Sequence, residues 1–209
     1  MTNQYKIPTF AFQSIKMAGR PKIFDEQEAL NDAINIFWEK GFDATSMDDL
    51  MRAMGVQRGS FYHTFGSKKS LFINAFTQYE TMSFDELRRQ LNASKTPMKV
   101  IKSIFYTLAD CSIEEHNKGC FAGNTITALS NIDAELTEIA NNHLKKMENI
   151  FFEQIKASQA SGELTIKTDA RLLSLSLINL WNGLNITRKI YPSKKDLKAF
   201  VDFQLAILI

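Results

Sequence analysis

Between Thr45 and Phe65 the chain has room for two short helices and little else. Ser46 can cap a helix whose third position is Asp49, which is capping-box spacing, and Gly55 supplies a stop after about two turns. The run from Gln57 to His63 then suits a second short helix, reached across a tight turn at Gly55 and Val56. Two short helices joined this closely make a helix-turn-helix. Charge in the region is one-sided: from Leu50 to Tyr79 there are four Lys or Arg and neither Asp nor Glu. An acid-free stretch of this kind points to a negatively charged partner.

Helical periodicity extends along the rest of the chain, with no alternating strand pattern and no internal repeat, so the fold class is all-α. A first helix starts at Asp25, where Asp25 and Glu28 have capping-box spacing and Phe24 can staple onto Ala29, and it stops before Gly41. Its expected inward face is Leu30, Ile34, Phe37 and Trp38. A fourth helix begins at Ser67 and runs through Phe72, Phe76 and Tyr79 to the neighbourhood of Leu91. Further helices are expected near 97–115, 121–130, 133–160, 169–190 and 194–208, with breaks at Pro97, Gly119, Gly162 and Pro192.

The formal net charge is only +2 over 209 residues, so the argument for a polyanion rests on where the charge sits. Residues 1–24 carry Lys6, Lys16, Arg20 and Lys22 without an acid, whereas the following 25 residues carry eight acids. Two cysteines and no export signal at the N-terminus point to a reducing interior, and the cytoplasm is the expected location. No apolar run approaches the roughly 18 residues of a membrane span. Residues 1–22 are expected to be a disordered extension, with Met17 of MAGRPK as a natural start of its own; 23–70 form the helix-turn-helix domain and 71–209 a larger helical domain.

On a wheel of 100° per residue, Phe61 points toward the core one turn before Phe65, close to Gln57. Gly59 and His63 then point outward, flanked by Arg58 and Tyr62 on one side and Ser60 on the other. The missing side chain at Gly59 would let the backbone approach another surface closely. Lys68 and Lys69 fall in the first turn of the fourth helix, where the macrodipole disfavours cations. With Ser67 and the free N–H groups of that turn they either make a phosphate site or merely solvate an exposed helix start, and the neighbouring helix-turn-helix favours the phosphate.

The stretch TSMDDLMRAMGVQRGSFYHTFGSKKSLF, residues 45–72, resembles the DNA-binding signature of the tetracycline-repressor (TetR) family of transcriptional regulators. Gly41, Phe42, Thr45, Ser46, Leu50, Gly55, Val56, Gly59, Tyr62, Phe65, Ser67, Lys68, Leu71 and Phe72 stand in order and in register. The resemblance implies an N-terminal three-helix DNA-binding domain followed by a helical ligand-binding and dimerisation domain. It implies that Thr45 and Tyr62 meet phosphates, that Gln57, Arg58, Ser60 and His63 approach base edges or nearby backbone, and that Lys68 clamps a phosphate. Gly59 and Lys69 complete the expected DNA-binding set. Gln57 replaces the family's commoner small hydroxyl residue, and Thr64 stands where it often has His; both bear on sequence preference.

A helix-turn-helix of this size covers few base pairs, so two copies about a two-fold axis are expected. Leu173, Leu177, Leu180, Trp181 and Leu184 form one apolar stripe and Leu197, Phe200, Val201, Leu205 and Leu208 another, either of which serves a dimer or the chain's own core. The dimer set is Leu177, Trp181, Leu184, Phe200, Val201 and Leu205. By the family resemblance, the intervening helices enclose an effector pocket, with Phe76, Tyr79, Phe105, Tyr106, Cys120, Phe121, Asn124, His143 and Phe151 as its candidates. Cys120, beside Lys118 and near a helix start, is either a thiol of lowered pKa that suits a sensor of electrophiles or oxidants or an inert packed thiol.

Cys111, His116 and Cys120 lack a fourth ligand, so no metal and no cofactor is expected. No nucleophile elbow, phosphate-cradling glycine loop or acid-base dyad is present, which argues against an enzyme. The expected partners are an operator duplex, a second copy of the chain and an unidentified small-molecule effector, with no membrane. The competing reading is an architectural or partner-recruiting DNA-binding protein that needs no effector.

Overall fold

The computed structural model describes residues 24–208, with side chains to 206. The expected extension over 1–22 and the side chain of Leu208 lie outside the described residues. Within them the chain forms ten helices: α1 (Glu26–Lys40), α2 (Met47–Met54), α3 (Arg58–Phe65), α4 (Lys68–Ala93), α5 (Pro97–Asp110), α6 (Ile113–Lys118), α7 (Phe121–Leu129), α8 (Ala134–Ser161), α9 (Ala170–Ile190) and α10 (Lys194–Leu208). No strand occurs among the described residues.

Two compact units divide at Ser83 and Phe84, inside α4. The expected boundary at 70 falls too early because the first half of α4 fills the N-terminal core. Leu71, Phe72, Ala75 and Phe76 are all fully buried there. Phe72 meets Phe37 edge-on at 5.0 Å and Phe42 at 5.2 Å, and Tyr79 meets Trp38 at 5.3 Å. Aromatic packing of this kind sets where α1 and α4 cross. The inner face of α1 is Ala29, Ala33, Ile34 and Phe37, with Leu30 and Trp38 only half-buried.

Local caps fix the small helices. Asp25 accepts from the N–H of Gln27 and Glu28 at the start of α1. Ser46 and Asp49 form the reciprocal capping box, and Gly55 takes the left-handed conformation (φ 64°) that ends α2. The Asp49 carboxylate also meets Lys40 Nζ at 3.0 Å, tying α2 to the end of α1. That ammonium, with the Ser46 hydroxyl and N–H, holds the Asp49 carboxyl well below the usual range.

In the C-terminal unit α8 packs on α7 and α9, and α10 packs on α5 and α9. The core is aliphatic and aromatic: Ile101, Phe105, Phe151, Ile155, Leu177, Leu184 and Val201 are fully buried. The expected helix over 97–115 is two, because Cys111 leaves the helical region and Ser112 starts α6 with its own capping box to Glu115.

Candidate nucleic-acid interface

Gln57 is the N-cap of α3, and its side chain makes no capping bond, so the amide is left exposed at the helix start. Phe61 and Phe65 are buried, anchoring one face of α3 to the core. Their burial turns Arg58, Gly59, Ser60, Tyr62 and His63 outward, all exposed. α3 runs two residues beyond the expected end at His63, to Phe65, because Phe65 still has a core position to fill, against Phe24 at 6.0 Å. A Cβ placed at Gly59 would meet nothing within 4 Å. The fold itself therefore does not require glycine there, and a helix interior disfavours it.

Thr45 departs from expectation. It is fully buried and its hydroxyl donates to the Gly41 carbonyl at 2.6 Å, so it steadies the α1–α2 corner rather than reaching a phosphate. Lys68 opens α4 half-buried. Its ammonium stands 4.5 Å over the Phe42 ring and 3.4 Å from the Asp43 carbonyl, and burial lowers its pKa from the ordinary lysine value. Those contacts hold its head at the start of α4 beside Lys69, which is also half-buried. Ser67 caps its own helix, accepting from Ser70 N–H at 3.0 Å. Cationic, hydroxyl and imidazole groups thus share an exposed acid-free face along α3, which fits the edges and backbone of a duplex.

The residues expected at an effector pocket are divided between the two units. Phe76 and Tyr79 belong to the N-terminal core, because that is where α4 carries them. Phe105, Phe121 and Phe151 are fully enclosed as packing, with Phe105 and Phe151 6.3 Å apart. The Tyr106 hydroxyl donates to Asp202 at 2.5 Å, Asn124 donates to the Lys118 carbonyl at 2.6 Å, and His143 stacks on Phe84 at 4.8 Å. Cys120 is buried, and its Sγ accepts from Gly123 N–H at 3.3 Å and Trp181 Nε1–H at 3.4 Å. Burial pushes its thiol up, against the lowering expected from the helix start, because loss of water outweighs those two donors.

The expected dimer set is also mostly internal. Leu177, Leu184, Val201 and Leu205 are buried within the chain, Trp181 is half-buried, and Phe200 stands at the margin of exposure. Leu172, Leu175, Ile186 and Ile190 are exposed instead, within about 60° of one another around α9. Tyr191 and, on α10, Phe203 are exposed too. α9 thus has two apolar faces, and its own core uses only one.

Comparison with known proteins adds the lineage. The family model described as bacterial regulatory proteins of the tetR family matches residues 29–75, and a tetracyclin repressor-like C-terminal domain model matches residues 97–203. The uncharacterized HTH-type transcriptional regulator YezE of Bacillus subtilis (strain 168) is 29% identical over 192 residues, covering 91% of this chain and 99% of that protein. The HTH-type transcriptional repressor ComR of Escherichia coli (strain K12) is 28% identical over 176 residues, covering 83% and 84%. Among solved structures, a cysteine mutant of the TetR family regulator CifR complexed with a 26-base-pair operator duplex superposes with a TM-score of 0.78 at 24% identity, over 91% of this chain and all of that one. Likeness at that identity establishes the fold.

Proposed function

This chain belongs to the TetR family of bacterial DNA-binding transcriptional regulators, and on that premise we propose that it is a homodimeric repressor seated on a pseudo-palindromic operator and released by a small molecule. The observation that carries this is the exposed face of α3, where Arg58, Gly59, Ser60, Tyr62 and His63 stand together without an acid. On this reading Gln57 and Arg58, both exposed, read base edges, and Tyr62, Lys68 and Lys69 meet phosphates. The relative ComR, a transcriptional repressor, and the CifR structure with its operator support this reading.

Dimerisation is supported by the exposed line Leu172, Leu175, Ile186 and Ile190 on α9, with Phe203 on α10. An apolar line of that length on a water-facing helix suits a second copy of the same surface. Asn179 and Gly183 fall on the same line, and Gly183 leaves room for a close helix approach. The effector acts by favouring a dimer in which the two α3 helices no longer match successive major grooves, so effector and operator weaken each other's binding by the same factor. The protein works as a binder rather than a catalyst, inside the cytoplasm. No helix among the described residues is long and apolar enough to cross a membrane.

Selection of bound fragments from random or genomic duplexes tests the reading. The expected result is a palindromic motif whose half-sites lie about one helical turn apart or a multiple of it. Binding should weaken steeply with salt, and Lys68→Ala should reduce that slope by about one unit. A protein with no preference for any duplex over competitor at low ionic strength would sink the proposal.

A further inference from the structure

Arg188 is only 3% exposed, and among the described residues no carboxylate forms an ion pair with it. Its Nη2 donates to the Gly119 carbonyl at 3.2 Å and to Asn185 Oδ1 at 2.8 Å, while Nε has no acceptor. Both acceptors are neutral, so a neutral donor would pin the loop equally well. Among the described residues no acid is in direct contact with the positive charge of the guanidinium. Glu115 is the one acid that favours the charged guanidinium and the weakest of the influences on it, its carboxylate being held at the start of α6 by Ser112 N–H at 2.8 Å. Cys111 also hydrogen-bonds the guanidinium and Cys120 acts on it from nearby, yet burial pushes both thiols up, so neither supplies a full negative charge. Buried charges are ordinarily paired, because leaving water is costly.

Other polar groups gather around Arg188. His116 is 1% exposed, and neither ring nitrogen makes a hydrogen bond of ordinary geometry, although the Leu108 backbone is close enough to favour its charged form. Burial first, then the charge of Arg188, lowers its pKa from the ordinary histidine value. Lys189, exposed on the next residue of α9, lies across Gly119: a Cβ there would sit 2.8 Å from its Cε and 2.9 Å from its Nζ. Gly119, with φ 69°, leads directly into Cys120, the N-cap of α7, where helix N–H groups cluster. Trp181, 3.4 Å from Cys120 Sγ, provides an apolar wall beside them.

We propose that Arg188 anchors a binding site for a small organic carboxylate, with Lys189 at its rim, the start of α7 beside it and Trp181 against the organic part. The guanidinium offers Nε–H, which has no acceptor, to one oxygen of the carboxylate. Lys189, long and solvated, swings aside to admit the ligand and then adds a second charge. This rests on the reading of the chain as an effector-released regulator and names the chemistry of the effector.

The test uses the full-length protein with sodium acetate, sodium propionate or sodium benzoate, and with propionamide and equimolar sodium chloride as controls. Thermal unfolding is followed in the unsubstituted protein, Arg188→Met, Arg188→Gln and Lys189→Ala. At least one carboxylate should raise Tm by about 3 °C or more at millimolar concentration, while propionamide and chloride do not. Both Arg188 variants should lose the response, and Lys189→Ala should need more ligand for the same shift. Arg188→Met should remain folded without ligand, since replacing an unpaired buried charge by an apolar chain of similar volume is well tolerated. An undiminished response in either folded Arg188 variant, an equal response to propionamide, or no response to any of the three carboxylates would overturn the site. Operator binding is measured in the same preparations without carboxylate. If it persists while carboxylates do nothing, the site falls and the regulator stands; if it is absent from the unsubstituted protein, the regulator reading falls instead.

Discussion

Among the described residues two arginines, Arg58 and Arg188, are set apart by the cost of their charge. Arg58 stands on the exposed face of α3 in the N-terminal unit, fully hydrated and with no acid among its neighbours along the helix. Arg188 stands inside the C-terminal unit, 3% exposed, beside neutral thiols and an imidazole held below its ordinary pKa. A hydrated cation costs the fold almost nothing, so a row of them can wait for a large polyanion whose counterions are released on binding. A buried cation costs the fold several kcal/mol, so its partner must fit the space the fold leaves, which selects a small anion. The same side chain thus suits two ligand classes according to its solvent.

The comparison breaks most readily at Arg188. Arg188→Ala, which opens a gap and abandons the Gly119 carbonyl, should lower unfolding free energy by about 2–3 kcal/mol in urea denaturation. Arg58→Ala should change it by no more than about 0.5 kcal/mol. Equal losses would mean that the two arginines do not differ in the way described. At the exposed site the effect should appear in recognition: Arg58→Ala should relax discrimination at one base position by about 1–3 kcal/mol, read from competition among operator variants. Gly59→Ala sharpens the point. With nothing within 4 Å of the new methyl, it should stabilise the protein by up to about 1 kcal/mol while weakening operator binding. If stability and binding instead rise together, Gly59 does not face the duplex.

The smallest expected effect is at the α1–α2 corner. The Asp49 carboxyl lies below its unfolded-state value because Lys40 and Ser46 favour its charged form. Its contribution is therefore complete above the unfolded pKa, about 4, and is lost as the pH falls from there through the lower folded value. Asp49→Asn should narrow the gap to the unsubstituted protein in acid, measured by thermal unfolding at successive pH values. A constant gap would show that the capping geometry alone matters.

Much of the N-terminal unit was legible because its signals are local. Ser46 with Asp49, Gly55 as a left-handed stop, and Phe61 with Phe65 one turn apart each act within a few residues. Thr45 misled because its fate depends on the Gly41 carbonyl, which only the folded corner brings within 2.6 Å of its hydroxyl. α9 misled for a related reason. Periodicity finds Leu173, Leu177, Leu180 and Leu184, and equally finds Leu172, Leu175, Ile186 and Ile190, but it cannot say which face the chain's own helices cover. A signal for Arg188 was present, since it stands one turn beyond Leu184 on the buried stripe, where an apolar residue belongs.

The sequence by itself determined the all-α class, the cap-delimited helix-turn-helix and the acid-free character of its exposed side. Each follows from hydrogen bonds, periodicity and charge within a turn or two of chain. Tertiary structure alone decided that Thr45 is enclosed, that the Cys120 thiol is pushed up rather than down, that Phe76 and Tyr79 serve the N-terminal core, and that Arg188 is buried without an acid. Solvent exclusion is the physical reason, since burial of a residue depends on which distant segments pack over it.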